Sequence, residues 1–537
     1  MGTSDAMPTF NDARVRPLND RTTNPKGQYV LYWMQMTRRF DRNHALDFAI
    51  HRAVELKKPL VVYEALKLNY PWASARVHQF MLEGMAANAA FARKAGINYW
   101  PFVETPGDRG RGLVKQLLAN ACQLVTDDYP AFIVPAHNRA IARIDLSAIA
   151  VDSCGLIPLS LYGKPVAAAA HLRPRMHKLF AECWNHRANS EPVSPKGQVD
   201  PPFTPWMAPG DLPAFVRSLN VDPSVTPLSI HGGPTAGRRV LGTFLDDKLH
   251  AYGTERNHPD DPERSAASGL SPYLHFGHIG IQEVAEQVLG DDWTTAELNL
   301  KTRNKDDFFS REPAINGFLD EAITWRDIGH HWHHVRNVEC GIRNADSESK
   351  SWEEKGEVPS FNFETMDFSP LPRQGTLKGV LPAWAYESLS KHASDRRSHL
   401  YNLAQFEAAE THDPLWNAAQ TELVRTGKIH NYLRMLWAKK VLEWSDSPES
   451  AYRILEHLNN KYAIDGRDPN SYTGILWTFG LFDRPWPPER PVFGNIRFMS
   501  SDSTAKKFKL AGYYRYVEGL RGKAKSLFSE ISVEHAD

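Results

Sequence analysis

The chain has 537 residues, enough for two or three domains with cores of their own. Its 63 basic and 63 acidic side chains cancel, so any grip on a polyanion must come from a local patch rather than from net charge. Cys122, Cys154, Cys183 and Cys340 stand far apart with no CxxC pair, which argues against a disulfide framework or a cysteine-built zinc site. The first twenty residues hold no apolar stretch of the kind a secretory signal needs, and no run reaches the length of a membrane span. Fifteen tryptophans and 22 histidines suit a protein that stacks on an aromatic cofactor or on bases.

In chain order, residues 1–27 read as a mobile arm. Tyr29–Met34 is an apolar run of strand length. Asn43 is placed to cap a helix with Leu46, Ala49, Ile50 and Ala53 on one face. Leu60–Tyr63 is strand-like, Ala75–Ala95 helical, Ile97–Val103 strand-like, Gly112–Leu124 helical and Ala131–Pro135 strand-like. Strands alternating with helices predict right-handed βαβ units and a parallel, Rossmann-like sheet. No G-x-G-x-x-G follows the first strand, which argues against an ordinary dinucleotide fold. This α/β domain is expected over residues 28–180. The Pro-, Gly- and Ser-rich stretch around 181–236 reads as a connector that wraps the surface between domains.

From 237 to 537 the pattern is mostly α-helical. Phe244–Tyr252 is amphipathic, and Ser268, Gly269 and Ser271 precede a helix, where hydroxyls and backbone N–H groups can cradle a phosphate. Glu321 and Trp325 stand at i, i+4 on one helical face. His330, His331, His333 and His334 surround Trp332 with no carboxylate at metal-ligand spacing, so no metal site is assigned. Polar residues from Ser347 to Asp367 read as an inserted loop. Leu433, Leu436, Trp437 and Val441 define an amphipathic helix on which Trp437 and Trp444 share a face. Arg434, Asn459, Asp465, Arg467 and Asp468 gather around the same apolar region, and 465–470 is a turn by composition. Near the C-terminus Arg497, Lys506, Lys507, Lys509, Arg515, Arg521, Lys523 and Lys525 interleave with Phe508, Tyr513, Tyr514 and Tyr516, a composition that suits phosphate contacts.

The phrases DPLWNAAQ, KIHNYLRMLWAKKVLEW and LNNKYAIDGRDPNSYTGILW, in this order, resemble the flavin-binding heart of the photolyase/cryptochrome family, closest to its class II cyclobutane pyrimidine dimer photolyases. YWMQMTRRFDRNHAL, PLVVYEAL and YPWASARVHQFMLEG look like the antenna domain of the same enzymes. The resemblance implies an α/β antenna domain joined to a helical FAD domain. It implies light-driven splitting of pyrimidine dimers in DNA by an electron from excited reduced FAD. Tyr252, Ser268, Leu270 and Ser271 match its motif for the FAD ribityl and pyrophosphate. Arg434 and Asp465 would form a buried ion pair beside the isoalloxazine, with Asn459 facing flavin N5 and Arg467 and Asp468 in the same cluster. Trp416, Trp437 and Trp444 match its electron relay, Trp437 innermost, Trp416 between, and Trp444 more exposed. Glu321, Trp325, Met435 and Trp477 match its dimer pocket.

A second antenna chromophore is expected with no identity assigned. Damaged DNA is the expected partner, with Arg497, Lys506 and Lys507 on its phosphates, and the chain is read as a monomer without a membrane. It would reside in the cytoplasm on the nucleoid, or in the nucleus of a eukaryote. Two alternatives keep the flavin: a cryptochrome-like photoreceptor, and a 6-4 photolyase, which the histidines around Trp332 leave open because the family usually reads N-F-C-x-Y there.

Overall fold

The structure, a computed structural model, describes residues 12–260, 265–344, 369–371 and 375–521. The loop expected over Ser347–Asp367, the basic residues Lys523 and Lys525, and the first eleven residues of the arm lie outside them. The chain divides into two compact units, residues 1–245 with 269–368, and residues 246–268 with 369–537. Residues 269–344, read in the sequence as part of a helical domain from residue 237, fall in the first unit.

The first unit carries β1 (Val15–Pro17), β2 (Tyr29–Met34), α1 (His44–Glu55), β3 (Leu60–Leu66), α2 (Ala75–Ala95), β4 (Asn98–Val103), α3 (Leu113–Asn120), β5 (Ala121–Asp127), α4 (Val134–Ile141) and β6 (Ala148–Val151). α5 (Ala169–Asn185), α6 (Leu212–Ser218) and α7 (Pro234–Asp247) follow. The sheet runs β1-β6-β5-β2-β3-β4, parallel except for β1 against β6. β2 lies in its middle, and Val30, Leu31, Tyr32 and Met34 are at most 1% exposed, because helices cover both faces. Asn43 caps α1 by accepting from the Leu46 amide at 3.0 Å.

Three local readings change. The apolar stretch read as helix to Leu124 leaves the helix at Asn120 and continues as β5, whose seven residues are all buried. A short apolar run covered on both faces has no periodicity to separate strand from helix. Ala131–Pro135 is no strand; α4 begins at Val134. The arm is fixed from residue 12 onward: β1 pairs with β6, and the buried guanidinium of Arg14 donates to the carbonyls of Asp152, Gly155 and Leu156. The proline-rich stretch read as a connector lies within the first unit and is hydrogen-bonded to it. The Trp206 amide donates to Pro101 O at 2.8 Å, the Asn98 amide side chain to Gly197 O at 2.9 Å, and the Arg76 amide to Val225 O at 3.0 Å.

The same unit holds α9 (Ser271–His275), α10 (Ile281–Leu289), α11 (Pro313–Leu319), a π-helical turn (Asp320–Trp325) and α12 (Arg326–Asn344). The second unit holds α8 (Tyr252–Glu255), α13 (Ala383–Lys391), α14 (Leu403–Glu407), α15 (Pro414–Thr426), α16 (Asn431–Trp444), α17 (Pro448–Tyr462), α18 (Pro469–Thr478) and α19 (Ser501–Lys507). α16 is its axis, touched by α15, α17 and α18. The one-sided helix expected there is instead buried at every position from Leu436 to Leu442, lysines included, because three helices surround it.

Candidate active site

The tryptophan column of the second unit follows from the start of α15. Asp413 caps α15, accepting from the amides of Leu415 and Trp416 at 2.9 and 3.0 Å, and Pro414 occupies the first helical position. That fixes the first turn and aims Trp416 at α16. Its indole N–H donates to Trp437 O at 3.0 Å, and the Trp437 indole N–H donates to Gln420 Oε1 at 3.0 Å. Trp416 and Trp437 lie nearly parallel, centroids 6.4 Å apart at 9°, and Trp416 meets Trp444 at 6.3 Å and 64°. In space the rings thus run Trp437, Trp416, Trp444. The more exposed end expected at Trp444 is not there: the ring is 2% exposed, beneath Tyr401 at 5.9 Å and His412 at 4.9 Å. Sequence pattern shows spacing along α16 but not the segment of 399–412, α14 included, that covers its end.

Beside the column, α17 and α18 meet in a tight turn. Gly466 is required there, since a Cβ would meet Asn459 O at 2.8 Å. Arg467 follows in the left-handed region at φ 69°. Its guanidinium donates to Asn460 O at 2.9 Å and to Gly466 O at 3.1 Å, and its amide donates to Asn460 Oδ1 at 2.8 Å. Asp468 caps α18 through the Asn470 amide at 2.8 Å. Arg467 and Asp468 therefore build the turn that presents their neighbours. Asn459 is buried next to it, its amide donating to Asn460 Oδ1 at 3.3 Å. Arg434 and Asp465 approach to 3.7 Å, with side chains 32% and 16% exposed. The pair expected to be buried is half-open to solvent, because Arg434 sits on the first turn of α16, ahead of the stretch that three helices enclose.

Trp477, on α18, is half-buried, with the Lys439 ammonium 5.0 Å and the Arg497 guanidinium 5.3 Å from its ring centre. Lys439 is fully buried and donates to Thr478 O at 2.7 Å; desolvation lowers its pKa to about 7. Met435 is half-buried one residue from Arg434. Arg497, expected on DNA phosphate, is engaged instead by Asp483 in a two-pronged pair at 3.0 and 3.1 Å. Lys506 and Lys507 are exposed in the last turn of α19, with the Lys507 ammonium 4.6 Å from the Tyr432 ring centre. Tyr252 is buried at the start of α8, and its hydroxyl accepts from Arg256 at 3.0 Å. Ser268, half-buried, belongs to this unit as well.

Gly269, Leu270, Ser271, Glu321 and Trp325 fall in the first unit. Gly269 adopts φ 71°, Leu270 is buried, and Ser271 opens the five-residue α9. Glu321 and Trp325 do not lie on an α-helix. The segment Asp320–Trp325 is π-helical, with Asp320, Ile323 and Thr324 turned inward, Glu321 half-buried and Trp325 38% exposed. Of the four histidines, His330, His331 and His333 are buried. The His331 ring is bonded to Gly163 O at 2.9 Å, and burial lowers its pKa to about 4. Among the described residues no group of His, Cys, Asp or Glu is placed to hold a metal ion.

Sequence reasoning missed Gln420, which fixes the Trp437 indole, and Lys439, which lies under Trp477. A lone glutamine and a KK pair in a helix carry no signal of burial. It also missed the π turn, since spacing alone does not report helix type.

Comparison with solved structures defines the fold first. The chain superposes on a class III photolyase from Agrobacterium tumefaciens at TM-score 0.58 and 18% identity, over 91% of this chain and 86% of that one. It also superposes on a photolyase from Sulfolobus tokodaii, solved with two FAD molecules, at TM-score 0.53 and 15% identity, over 86% of each chain. No family model matches the chain. Among curated proteins it is 31% identical over 515 residues to the deoxyribodipyrimidine photo-lyase of Methanothermobacter thermautotrophicus, covering 94% of this chain and 98% of that one. It is 32% identical over 533 residues to the rice enzyme of the same name, covering 97% and 93%. The chain belongs to the deoxyribodipyrimidine photolyase family.

Proposed function

We propose that the chain is a light-dependent DNA repair enzyme that binds FAD and splits cyclobutane pyrimidine dimers, as a class II photolyase. The observation that carries this reading is kinship with deoxyribodipyrimidine photolyases over 94% of the chain. The donor set suits a flavin. Arg434 and Asp465 offer N–H donors and a carboxylate side by side, and Asn459 offers an amide able to donate or accept in either redox state. Tyr252, Ser268, Gly269, Leu270 and Ser271 would hold the ribityl and phosphate end. Reduced FAD, when bound, supplies the light-driven electron that opens the cyclobutane ring.

The protein's own residues do the rest. Trp325 and Trp477, the half-open indoles, stack on the extruded bases, and each contact is worth roughly 1–3 kcal/mol. Glu321 meets a pyrimidine carbonyl by hydrogen bond, and Met435 lends a polarizable surface. Trp437, Trp416 and Trp444 pass an electron between indoles whose centres are 6.3–6.4 Å apart. A second, light-collecting chromophore is proposed for the antenna unit by analogy with the Sulfolobus neighbour and its two FAD molecules. Dimer-containing DNA is the partner, met in the cytoplasm or nucleus by a monomer, with Lys506 and Lys507 on its phosphates.

The test is direct. Natively purified protein is expected to show a flavin spectrum and, once reduced, to restore dimer-containing oligonucleotides under blue light only. Protein that neither holds nor takes up FAD overturns the reading. A flavoprotein that leaves the dimer intact but acts on 6-4 lesions, or on neither, moves it to one of the alternatives.

A further inference from the structure

The π turn that carries Glu321 and Trp325 is clamped at both ends. Upstream, Arg173 of α5 sets its fork on Asp320, the first residue of the turn, with Nε–Oδ1 2.7 Å and Nη2–Oδ2 2.9 Å. The side chains of the pair are only 12% and 3% exposed. Downstream, Arg326 donates to Cys154 O at 2.6 Å, and the Tyr162 hydroxyl donates to Asp327 at 2.7 Å. α11, which leads into the turn, is itself pinned: Asn316 accepts from the Phe309 amide at 2.8 Å and donates to Ser310 O at 2.6 Å.

A π turn accommodates one residue more than an α turn and is less stable as an isolated element, so something outside it must hold it. Here the surrounding contacts over-determine it. The inward residues Asp320, Ile323 and Thr324 fix which side faces out, and Glu321, Ala322 and Trp325 form the outward edge. A two-pronged Arg–carboxylate pair fixes both the distance and the plane of its partner, which a lysine does not.

We propose that Arg173 is a positioning residue for lesion recognition: its fork on Asp320 holds the π turn that presents Glu321 and Trp325 together. The proposal rests on the reading of Glu321 and Trp325 as dimer-pocket residues, and its test separates the two.

The experiment uses the full-length flavoprotein and compares Arg173→Met, Asp320→Asn and Trp325→Ala for affinity to dimer-containing and undamaged duplex of the same sequence, with FAD content recorded for each. Arg173→Met and Asp320→Asn are each expected to weaken binding of dimer DNA by about tenfold, the factor carried by 1.4 kcal/mol. Their affinity for undamaged duplex and their FAD content stay at the wild-type level. Arg173→Lys, which keeps the charge but loses the fork, is expected to fall between. Wild-type dimer affinity in Arg173→Met and Asp320→Asn, with Trp325→Ala impaired, overturns the positioning role and leaves the pocket standing. Equal losses on damaged and undamaged DNA overturn it too, since they report general loosening. If Trp325→Ala binds dimer DNA as wild type does, the pocket reading itself falls. Where Arg173→Met yields no folded protein, Asp320→Asn and Arg173→Lys decide.

Discussion

The tryptophans proposed for function fall into two groups that differ in burial. Trp416, Trp437 and Trp444 are at most 2% exposed, touch one another, and have neutral partners on the two central indole N–H groups. Trp325 and Trp477 are open to solvent on part of their surface, and the Arg497 guanidinium lies 5.3 Å from the Trp477 ring centre. An indole enclosed by others suits the proposed relay, and an indole on an open edge suits the proposed stacking on a base. Burial, rather than position in the chain, separates the two proposed roles.

The largest effect that would break this division lies in stability. Trp416→Ala empties a fully enclosed site and is expected to cost about 3–5 kcal/mol in denaturant unfolding. Trp477→Ala is expected to cost clearly less, and equal losses would erase the distinction. Next comes photoreduction. Trp437→Phe keeps most of the packing volume, and is expected to slow flavin photoreduction about a hundredfold, equal to some 2.7 kcal/mol of barrier. Repair by pre-reduced enzyme is expected to survive, and wild-type photoreduction in this variant would remove Trp437 from the relay. On the open side, Trp477→Ala is expected to weaken dimer-DNA binding by about 1–3 kcal/mol with flavin retained, as measured by anisotropy.

A smaller effect sharpens the picture beneath Trp477. Burial depresses the Lys439 pKa from 10.5 to about 7. Between those values the unfolded chain holds a proton that the folded chain lacks, so this group makes unfolding free energy rise with pH, and the gain is lost as pH falls through about 7. The ceiling is about 1.4 kcal/mol per pH unit. Lys439→Met is expected to flatten that rise in unfolding curves taken between pH 7 and 9, and an unchanged slope would mean the lysine is solvated. Smallest is the phosphate contribution: Lys506→Gln is expected to lower the slope of log Kd against log salt by about 0.9, equally for damaged and undamaged DNA.

How legible all this was in the sequence depends on how local each signal is. α2 is bounded as its pattern predicts, because the Ser74 cap and the Gly96 terminator are written in adjacent residues. β5 was hidden because ACQLVTD, buried on both sides, has no period. The order of the tryptophan column could be stated from a resemblance, but the enclosure of Trp444 depends on residues 399–412, far from α16 in sequence. The half-open state of Arg434 and the diversion of Arg497 onto Asp483 are tertiary facts, set by which charged neighbour lies nearest in space. The π turn is the sharpest case, since Glu321 and Trp325 read alike in either helix type.

β1 has a consequence of a different kind. β6 (AIAV) would otherwise present bare backbone donors and acceptors along one side of the sheet, a template for strands of other molecules. Three residues, Val15–Pro17, cover it. The strand that replaces it at the border is too short to recruit another, lacks a donor at Pro17, and bears Arg16, locked to Asp128 at 2.6 and 2.8 Å. The N-terminal segment thus guards solubility: a chain trimmed to begin after residue 27 would keep the residues proposed for flavin and lesion but expose a sticky border, and is expected to aggregate before any loss of chemistry is noticed.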